Sequence, residues 1–488
     1  MDTSLRSLPC PFSLYRQTGP KCGKKPPNIT TEMTITETIG AQRAYFQSGA
    51  TLTHDARRTA LLQLKEGIKR HEKEITEALH SDLGKSPTEA YMTEIASLYS
   101  DIDYAISHLK GWMRPHRMGT PLSLAPASSH IVQSPYGVTL IIAPWNYPIL
   151  LTLSPLIGAL AAGNCAVLKP SESAPATAEI VTKLLTGTLD NRLVAVINGD
   201  AEVAKSLLNE QFDFIFYTGN AHVARYVMEK ASRHLTPILL ELGGKSPVIV
   251  TRSANLRLAA RRIAFGKWMN AGQTCVAPDY VLVEECVHDA FVQHLKEQTE
   301  AMYGTHPLTN PAYGKIVNQW HFQRLRQLIQ PQKVLFGGET DPSSLRIAPT
   351  VLDHVHPQDA VMGEEIFGPI LPILTIANLD EALCFISSRP HPLALYLFTS
   401  SSREECRVMH SLQFGGGCVN DTLVHLANHH LPFGGIGESG MGTYQGHHSF
   451  LAFSHPKGIL KTPTWLDLPI RYQPYTRLKD WLIRLVTR

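Results

Sequence analysis

Between residues 138 and 232 the chain alternates, at short and regular intervals, runs that suit strands with runs that suit helices. The strand-like runs cover residues 138–143, 166–169, 194–198 and 212–218, and the helix-length stretches cover 149–162, 174–185, 201–208 and 222–232. Parallel strands cannot be joined by a tight turn, and a helix is the usual crossover between them. The alternation therefore predicts an α/β fold with βαβ units and a parallel sheet. In such a sheet ligands bind beyond the carboxyl ends of the strands. Two segments fall there: Pro144-Trp145-Asn146 after the first strand and Lys169-Pro170-Ser171-Glu172 after the second. A second alternating region spans residues 247–426, with strands expected at 248–250, 280–283 and 393–398. Residues 416–420 and 432–437 read as glycine-rich loops that close its site.

Composition narrows the function classes. At 488 residues, with 43% hydrophobic and 18% charged residues, the chain is globular in composition and long enough for two to four domains. A net charge of +3 supplies no electropositive surface on the scale that nucleic acid requires, so nucleic acid is not an expected partner. No uninterrupted apolar run reaches the length of a bilayer span. The eight cysteines (Cys10, Cys22, Cys165, Cys275, Cys286, Cys384, Cys406 and Cys418) show no CxxC spacing, which argues against structural zinc and for a reducing, cytoplasmic compartment. His425, His429 and His430 cluster without partner carboxylates, so no metal site is expected.

The flanks differ from the middle. Residues 1–33 are Pro-rich and basic, with Asp2 the only acid before Glu32, and read as a disordered extension. Leu61, Leu64, Ile68, Ile75 and Leu79 recur at helical spacing, so one helix is expected over residues 56–79 with Asp55 as its N-cap, and another over 89–112. Residues 114–133 lack helical period and suit an extended connection or hairpin. Near the far end, Leu478, Trp481, Leu482, Leu485 and Val486 form an apolar stripe, with Arg477, Lys479, Arg484 and Arg488 elsewhere on the helix. Such a helix either packs on protein, its own body or a dimer partner, or lies on a membrane surface.

Three residues far apart in the sequence have complementary chemistry. Cys275, in Gly272-Gln273-Thr274-Cys275-Val276, offers a thiol nucleophile. Glu241 offers a carboxylate to activate water, and Asn146 an amide to hold an oxyanion. Together these are the parts of acyl-enzyme chemistry. Alone, a cysteine in such a chain is more often a small buried hydrophobe.

The surroundings carry the argument further. In order along the chain stand PWNYP (144–148), LKPSE (168–172), YTG (217–219), LELGGKSP (240–247), GQTCVAP (272–278), EEIFGP (364–369) and LPFGGIG (431–437). This series, over residues 37–454, resembles the aldehyde dehydrogenase superfamily, most closely its class 3 branch, which includes fatty- and coniferyl-aldehyde enzymes. The resemblance implies a Rossmann-like cofactor domain (residues 34–117 and 138–243), an α/β catalytic domain (244–431) and a small β bridging arm that builds homodimers (118–137 and 432–475), followed by the helix over 476–488. It implies oxidation of an aliphatic or aromatic aldehyde to the acid. The Cys275 thiolate would form a thiohemiacetal, a nicotinamide would accept hydride, and water would hydrolyse the thioester. Asn146 would hold the oxyanion.

By the same resemblance Trp145, Lys169, Glu172, Gly219, Glu365 and Phe367 bind the cofactor. Glu365 would hold the nicotinamide ribose with Phe367 packing nearby, yet it remains a rival to Glu241 as the base. Lys169 and Glu172 would contact the adenosine ribose, and a carboxylate there favours NAD over NADP without excluding the latter. The chain departs from the family at residues 220–224. Ala224 stands where a glycine is usual, which predicts an altered cofactor fit. His222, at the same helix start, is expected to be solvated. Two alternatives stay open: a CoA-acylating relative, against which Glu241 argues, and a non-catalytic relative of the same fold, against which retention of Cys275, Glu241, Asn146 and Glu365 argues.

Overall fold

The order of the strands decides where a site can form. In the computed structural model, which describes residues 34–486, the strands predicted between residues 138 and 218 are Val138–Ile142, Cys165–Lys169, Val194–Val196 and Phe214–Thr218, joined in parallel with Ile238–Glu241. The third and second strands lie to one side of the first, and the fourth and fifth to the other. The chain thus reverses direction across the sheet between Val138–Ile142 and Phe214–Thr218, the switch point where α/β sheets leave a crevice for ligands. The expected extension over residues 1–33 lies outside the described residues.

One strand of this sheet comes from far away. Gly440–Met441 pairs antiparallel with the end of Ile238–Glu241, with Gly440 opposite Glu241. A second, seven-stranded sheet runs in the order Val334–Phe336, Thr350–Leu352, Ile370–Ile376, Tyr280–Glu284, Pro247–Val250, Ala394–Phe398 and Gly416–Val419. All its pairings are parallel except that of the Val334–Phe336 edge. Gly416–Val419 is therefore an edge strand rather than the loop its glycines suggest. A side chain at Gly417 would strike the Leu395 carbonyl of the neighbouring strand, so close backbone approach is what the glycine serves.

The third sheet is antiparallel and small: His116–Met118, Ser128–Pro135 and Ser454–Lys461. Residues 114–133 form the hairpin expected of them, with Arg117 opposite His130. The Ser454–Lys461 strand is exposed beyond its first residue.

Two helical expectations need correction. The stretch over residues 56–79 is two helices, His54–Arg70 and Glu72–Leu83, broken at His71. The apolar period continues through the break because Leu61, Leu64, Ile68, Ile75 and Leu79 all reach the same core. Thr53, not Asp55, caps the first helix, its hydroxyl accepting the Ala56 N–H at 3.1 Å. Residues 87–112 are helical but contain a π-helical turn, Tyr91–Ile95, between Pro87–Ala90 and Ala96–Trp112. Such turns are rare and tend to aim a side chain for a purpose.

Candidate active site

The parallel sheet delivers four of the predicted residues to one edge. Asn146 lies in the turn after Val138–Ile142, Lys169 ends Cys165–Lys169, Gly219 follows Phe214–Thr218, and Glu241 ends Ile238–Glu241. Cys275 and Glu365 come from the other sheet, in segments that lead into Tyr280–Glu284 and Ile370–Ile376, which are neighbours. Burial pushes the Cys275 thiol above its ordinary value, and the carboxylates of Glu365 and Glu241 push it further. The peptide N–H groups of Cys275 and Val276 offset part of that effect. Cys275 and both glutamates therefore share one electrostatic environment.

The two glutamates differ in what they touch. Glu241 is 2% exposed, and neither carboxylate oxygen has a hydrogen-bond partner in the protein. Desolvation holds its carboxyl well above the usual range. Glu365 rests against the Gly243 backbone, where any side chain would displace its carboxylate. Burial and nearby Asp279 raise it to about 8, with the Gly244 N–H, Lys245 and Lys267 pulling the other way. The segment carrying Glu365 is anchored: Asp279 accepts the Ile366 N–H at 2.9 Å, and Lys245 pairs with Asp279 and donates to the Val361 and Glu364 carbonyls.

The loop before Cys275 has an unusual backbone. Asn270, Ala271 and Gly272 are successively left-handed, with φ of 52°, 50° and 72°. For non-glycine residues this costs roughly 1–3 kcal/mol each and persists only where the surroundings impose it. Here the Asn270 side chain donates to the Asn146 and Gln273 carbonyls at 2.8 and 3.1 Å. Gln273 in turn donates to the Asn270 and Lys315 carbonyls, each at 3.0 Å, and accepts the Val317 N–H. Gly272 is pressed against the Gly368 carbonyl with no room for a methyl. Gly272→Ala should therefore lower stability by about 1–3 kcal/mol and suppress turnover together, read as a drop in Tm and in kcat.

Asn146 is buried, its Nδ2 donating to the Gln273 carbonyl at 3.2 Å. One amide hydrogen remains for an oxyanion. Beside it Tyr147 and Thr274 share a 2.7 Å hydroxyl bond, and Tyr396 donates to the Val276 carbonyl at 2.6 Å. Sequence reasoning passed over these tyrosines and the Lys85–Glu94 ion pair below them, closed at 2.6 Å with both side chains fully buried. Tyr147 was within reach, since it sits inside the PWNYP run; nothing local singles out Lys85 or Glu94.

On the other side of the crevice, buried Lys169 pairs with half-exposed Glu172. A cleft of about 450 Å³ opens there, bounded by Ser171, Glu172, Pro175, Thr182, Asn198 and Gly199. Gly219 has no space for a side chain because the Tyr217 hydroxyl lies against it. The altered segment after it forms an ordinary helix start: the Asn220 side chain accepts the Val223 N–H at 2.9 Å and His222 is exposed. Ala224 belongs to an apolar cluster with Leu140, Ile215 and Val227, so its methyl packs against the sheet. Trp145 meets the Phe367 ring edge-on at 5.3 Å and the His321 ring at 4.9 Å. His321, which no motif along the chain singles out, keeps a buried Nδ1 without a hydrogen-bond partner, and burial lowers its pKa to about 4.

Among the described residues no three His, Cys, Asp or Glu side chains are grouped as a metal site would need. Of the three histidines near residue 430, His425 lies beside the Cys418 sulfur at 3.4 Å, while His429 and His430 both pack on the Tyr104 ring and His429, contrary to expectation, has a carboxylate beside it, Asp101 at 3.2 Å.

Comparison with known proteins places the chain in a family. Residues 21–459 match the model of the aldehyde dehydrogenase family. The chain belongs to that family. A 4,4'-diaponeurosporen-aldehyde dehydrogenase of Staphylococcus aureus is 47% identical over 435 residues, covering 89% of this chain and 95% of the relative. The aldehyde dehydrogenase family 3 member H1 of Arabidopsis thaliana is 45% identical over 94% of each chain. Among solved structures, the substrate-bound state of Staphylococcus aureus AldH superposes with a TM-score of 0.92 at 45% identity, covering 93% of this chain and 100% of that one. An indole-3-acetaldehyde dehydrogenase in complex with NAD+ superposes with a TM-score of 0.79 at 25% identity, over 88% and 89% of the two chains.

The aldehyde dehydrogenase described here is thus of the class 3 branch and an oxidoreductase that oxidises aldehydes with NAD(P). Its own residues fit a dinucleotide. The cleft at Glu172 lies at the carboxyl edge of the parallel sheet, Gly219 keeps the backbone bare, and the partnerless Thr218 hydroxyl and His321 Nδ1 are buried nearby in sequence or structure to the predicted contacts.

Proposed function

We propose that Cys275 is the nucleophile, Asn146 the oxyanion donor and Glu241 the base that activates water. The observation that carries this is a buried carboxylate, Glu241, that acts electrostatically on Cys275 while its two oxygens have no hydrogen-bond partner in the protein. The Cys275 sulfur, its proton passed to solvent, adds as the thiolate to the aldehyde carbon, and the Asn146 amide and the Cys275 peptide N–H share the negative oxygen. NAD(P), when bound, accepts the hydride that the adduct releases. Cys275 then holds the acyl group as a thioester. Glu241 takes a proton from water, whose oxygen attacks the thioester carbon, and the Cys275 thiolate leaves. The acid departs, Glu241 releases its proton to solvent, and the enzyme is restored. Formation of NADH from an aldehyde without added CoA tests the hydrolytic reading; a strict requirement for CoA would replace water by CoA as the acyl acceptor.

The cofactor set is Trp145, Lys169, Glu172, Gly219, Glu365 and Phe367. Glu172 accepts from a ribose hydroxyl and opposes a phosphate at the same place, so NAD is the preferred form. Glu172→Gln should raise the NADP-to-NAD ratio of kcat/KM roughly tenfold by removing that repulsion, measured by steady-state kinetics with both cofactors.

Residues 34–117 and 138–243 form the cofactor domain, and 244–431 the catalytic domain. The small sheet containing Ser128–Pro135 and Ser454–Lys461 bridges two copies into a homodimer, supported by the exposure of its outer strand. No helix of the described residues is long and apolar enough to cross a membrane. Contact with a membrane surface falls instead to the Arg477–Val486 helix. Its Leu478, Trp481 and Leu485 are all more than half exposed, and Arg477, Lys479 and Arg484 suit anionic headgroups. A cytoplasmic enzyme that visits a membrane fits an aldehyde on a long apolar chain, as the name of the Staphylococcus aureus relative also suggests. Removal of the residues after Tyr475 should abolish co-sedimentation with anionic vesicles and leave oxidation of a short water-soluble aldehyde intact; equal sedimentation of both forms counts against the membrane contact.

A further inference from the structure

The Lys85–Glu94 pair does more than occupy the core. Both side chains are fully buried and 2.6 Å apart. Lys85 also donates to the main-chain carbonyl of Asn146 at 3.2 Å and lies 3.8 Å from the centre of the Tyr147 ring. The other Glu94 oxygen accepts the N–H groups of Ile149 and Leu150, at 2.9 and 3.1 Å, where the Leu150–Ala162 helix begins. One ion pair thus grips the turn carrying Asn146 at both ends. Glu94 is set inward by the π-helical turn Tyr91–Ile95.

The same segment reaches the nucleophile loop. Glu89, just before that turn, accepts the Asn270 N–H at 2.8 Å, at the start of the left-handed run that leads to Cys275. The Asn270 amide then closes the circuit on the carbonyl that Lys85 also holds. A carbonyl with two donors, one of them a charged ammonium, is held more stiffly than either bond alone would hold it.

We propose that Lys85 and Glu94 are positioning residues that fix the Asn146 amide in register with Cys275, and so determine how well the oxyanion is held. The inference rests on the role of Asn146 proposed above. It assigns a function to buried charge, which is by itself weak evidence of a contribution to stability.

The test is Lys85→Met combined with Glu94→Gln in the full-length enzyme. The double change removes both charges of the pair, Glu89 keeps the Asn270 N–H as its donor, and the glutamine oxygen still accepts from the start of the helix. Turnover with a saturating aldehyde should fall roughly 10- to 100-fold, as a small misplacement of a reacting group does, with Tm and the KM for NAD little changed. Alkylation of Cys275 by iodoacetamide, a displacement that develops no oxyanion, should stay within about twofold of wild type. In an Asn146→Ala background the double change should cost no further turnover. Should the double variant not fold, Glu94→Gln alone must show the same separation of turnover from alkylation. Unchanged turnover, a parallel loss of alkylation, or a full additional loss in the Asn146→Ala background would each overturn the proposal. Full activity in Asn146→Ala by itself would instead remove the oxyanion role on which it rests.

Discussion

Cys275→Ala should lose about 10⁴-fold or more of kcat for aldehyde oxidation, while the affinity for NAD stays within about twofold. The size follows from the chemistry. Without a covalent adduct the aldehyde carbon never becomes an electron-rich tetrahedral centre, and nothing else in the site can make it one. Cofactor binding survives because the Glu172 cleft, Gly219 and the Trp145–Phe367 pair lie on other segments. Alanine removes only the sulfur from a loop whose left-handed run at Asn270–Gly272 is held by Gln273 and Asn270. Stopped NADH formation together with an equilibrium NAD titration checks both halves. Substantial residual oxidation would defeat the mechanism, and loss of NAD binding would mean that the loop itself had collapsed.

Glu241→Gln should separate the two halves of the reaction. In the proposed mechanism the first half forms NADH and acylates Cys275, and the second half needs water activated by a carboxylate. Loss of a positioned general base costs about 10²–10⁴-fold, so steady-state turnover should fall by that amount while a burst of NADH close to one equivalent per site persists. The amide is nearly isosteric and enters a site where the native carboxyl is already held toward its neutral form by burial, so the fold should tolerate it. Glu365→Gln serves as the comparison. Its carboxyl is engaged by the Gly243–Gly244 backbone, and the variant should raise the KM for NAD rather than trap the acyl-enzyme. A burst followed by a stalled second step in Glu365→Gln, with Glu241→Gln turning over normally, would exchange the two roles.

Much of this was legible along the chain because it rests on local periodicity. The strands at Val138–Ile142, Cys165–Lys169 and Phe214–Thr218 stand where alternation of strand- and helix-like runs predicts them. The motifs at Asn146, Lys169 and Gly219 fall at their carboxyl ends for the same reason, whereas the strand that ends on Glu241, Ile238–Glu241, is not among those expected. Where the reading slipped, a local pattern had two physical meanings. The apolar repeat from Leu61 to Leu79 runs through the break at His71 because both helices face one core. The glycines at 416 and 417 signal close approach of a neighbouring strand as readily as a loop.

By itself, then, the sequence determined the family, the α/β class, the chemical parts of the site and their order along the chain. Tertiary structure alone decided which of those parts are free to act and which are held. Glu241 and Glu365 are both acids in conspicuous runs, but only folding leaves the first without a partner and seats the second against backbone. Glu89 and Glu94 look like ordinary polar residues of a surface helix, and Lys85 like a residue of the connection before it, until packing buries the Lys85–Glu94 pair against the turn of Asn146, 61 residues on from Lys85. The physical reason is range. Helix and strand periods are set by neighbours a few positions apart, whereas desolvation and ion pairing depend on which distant segments close over a group and exclude water from it.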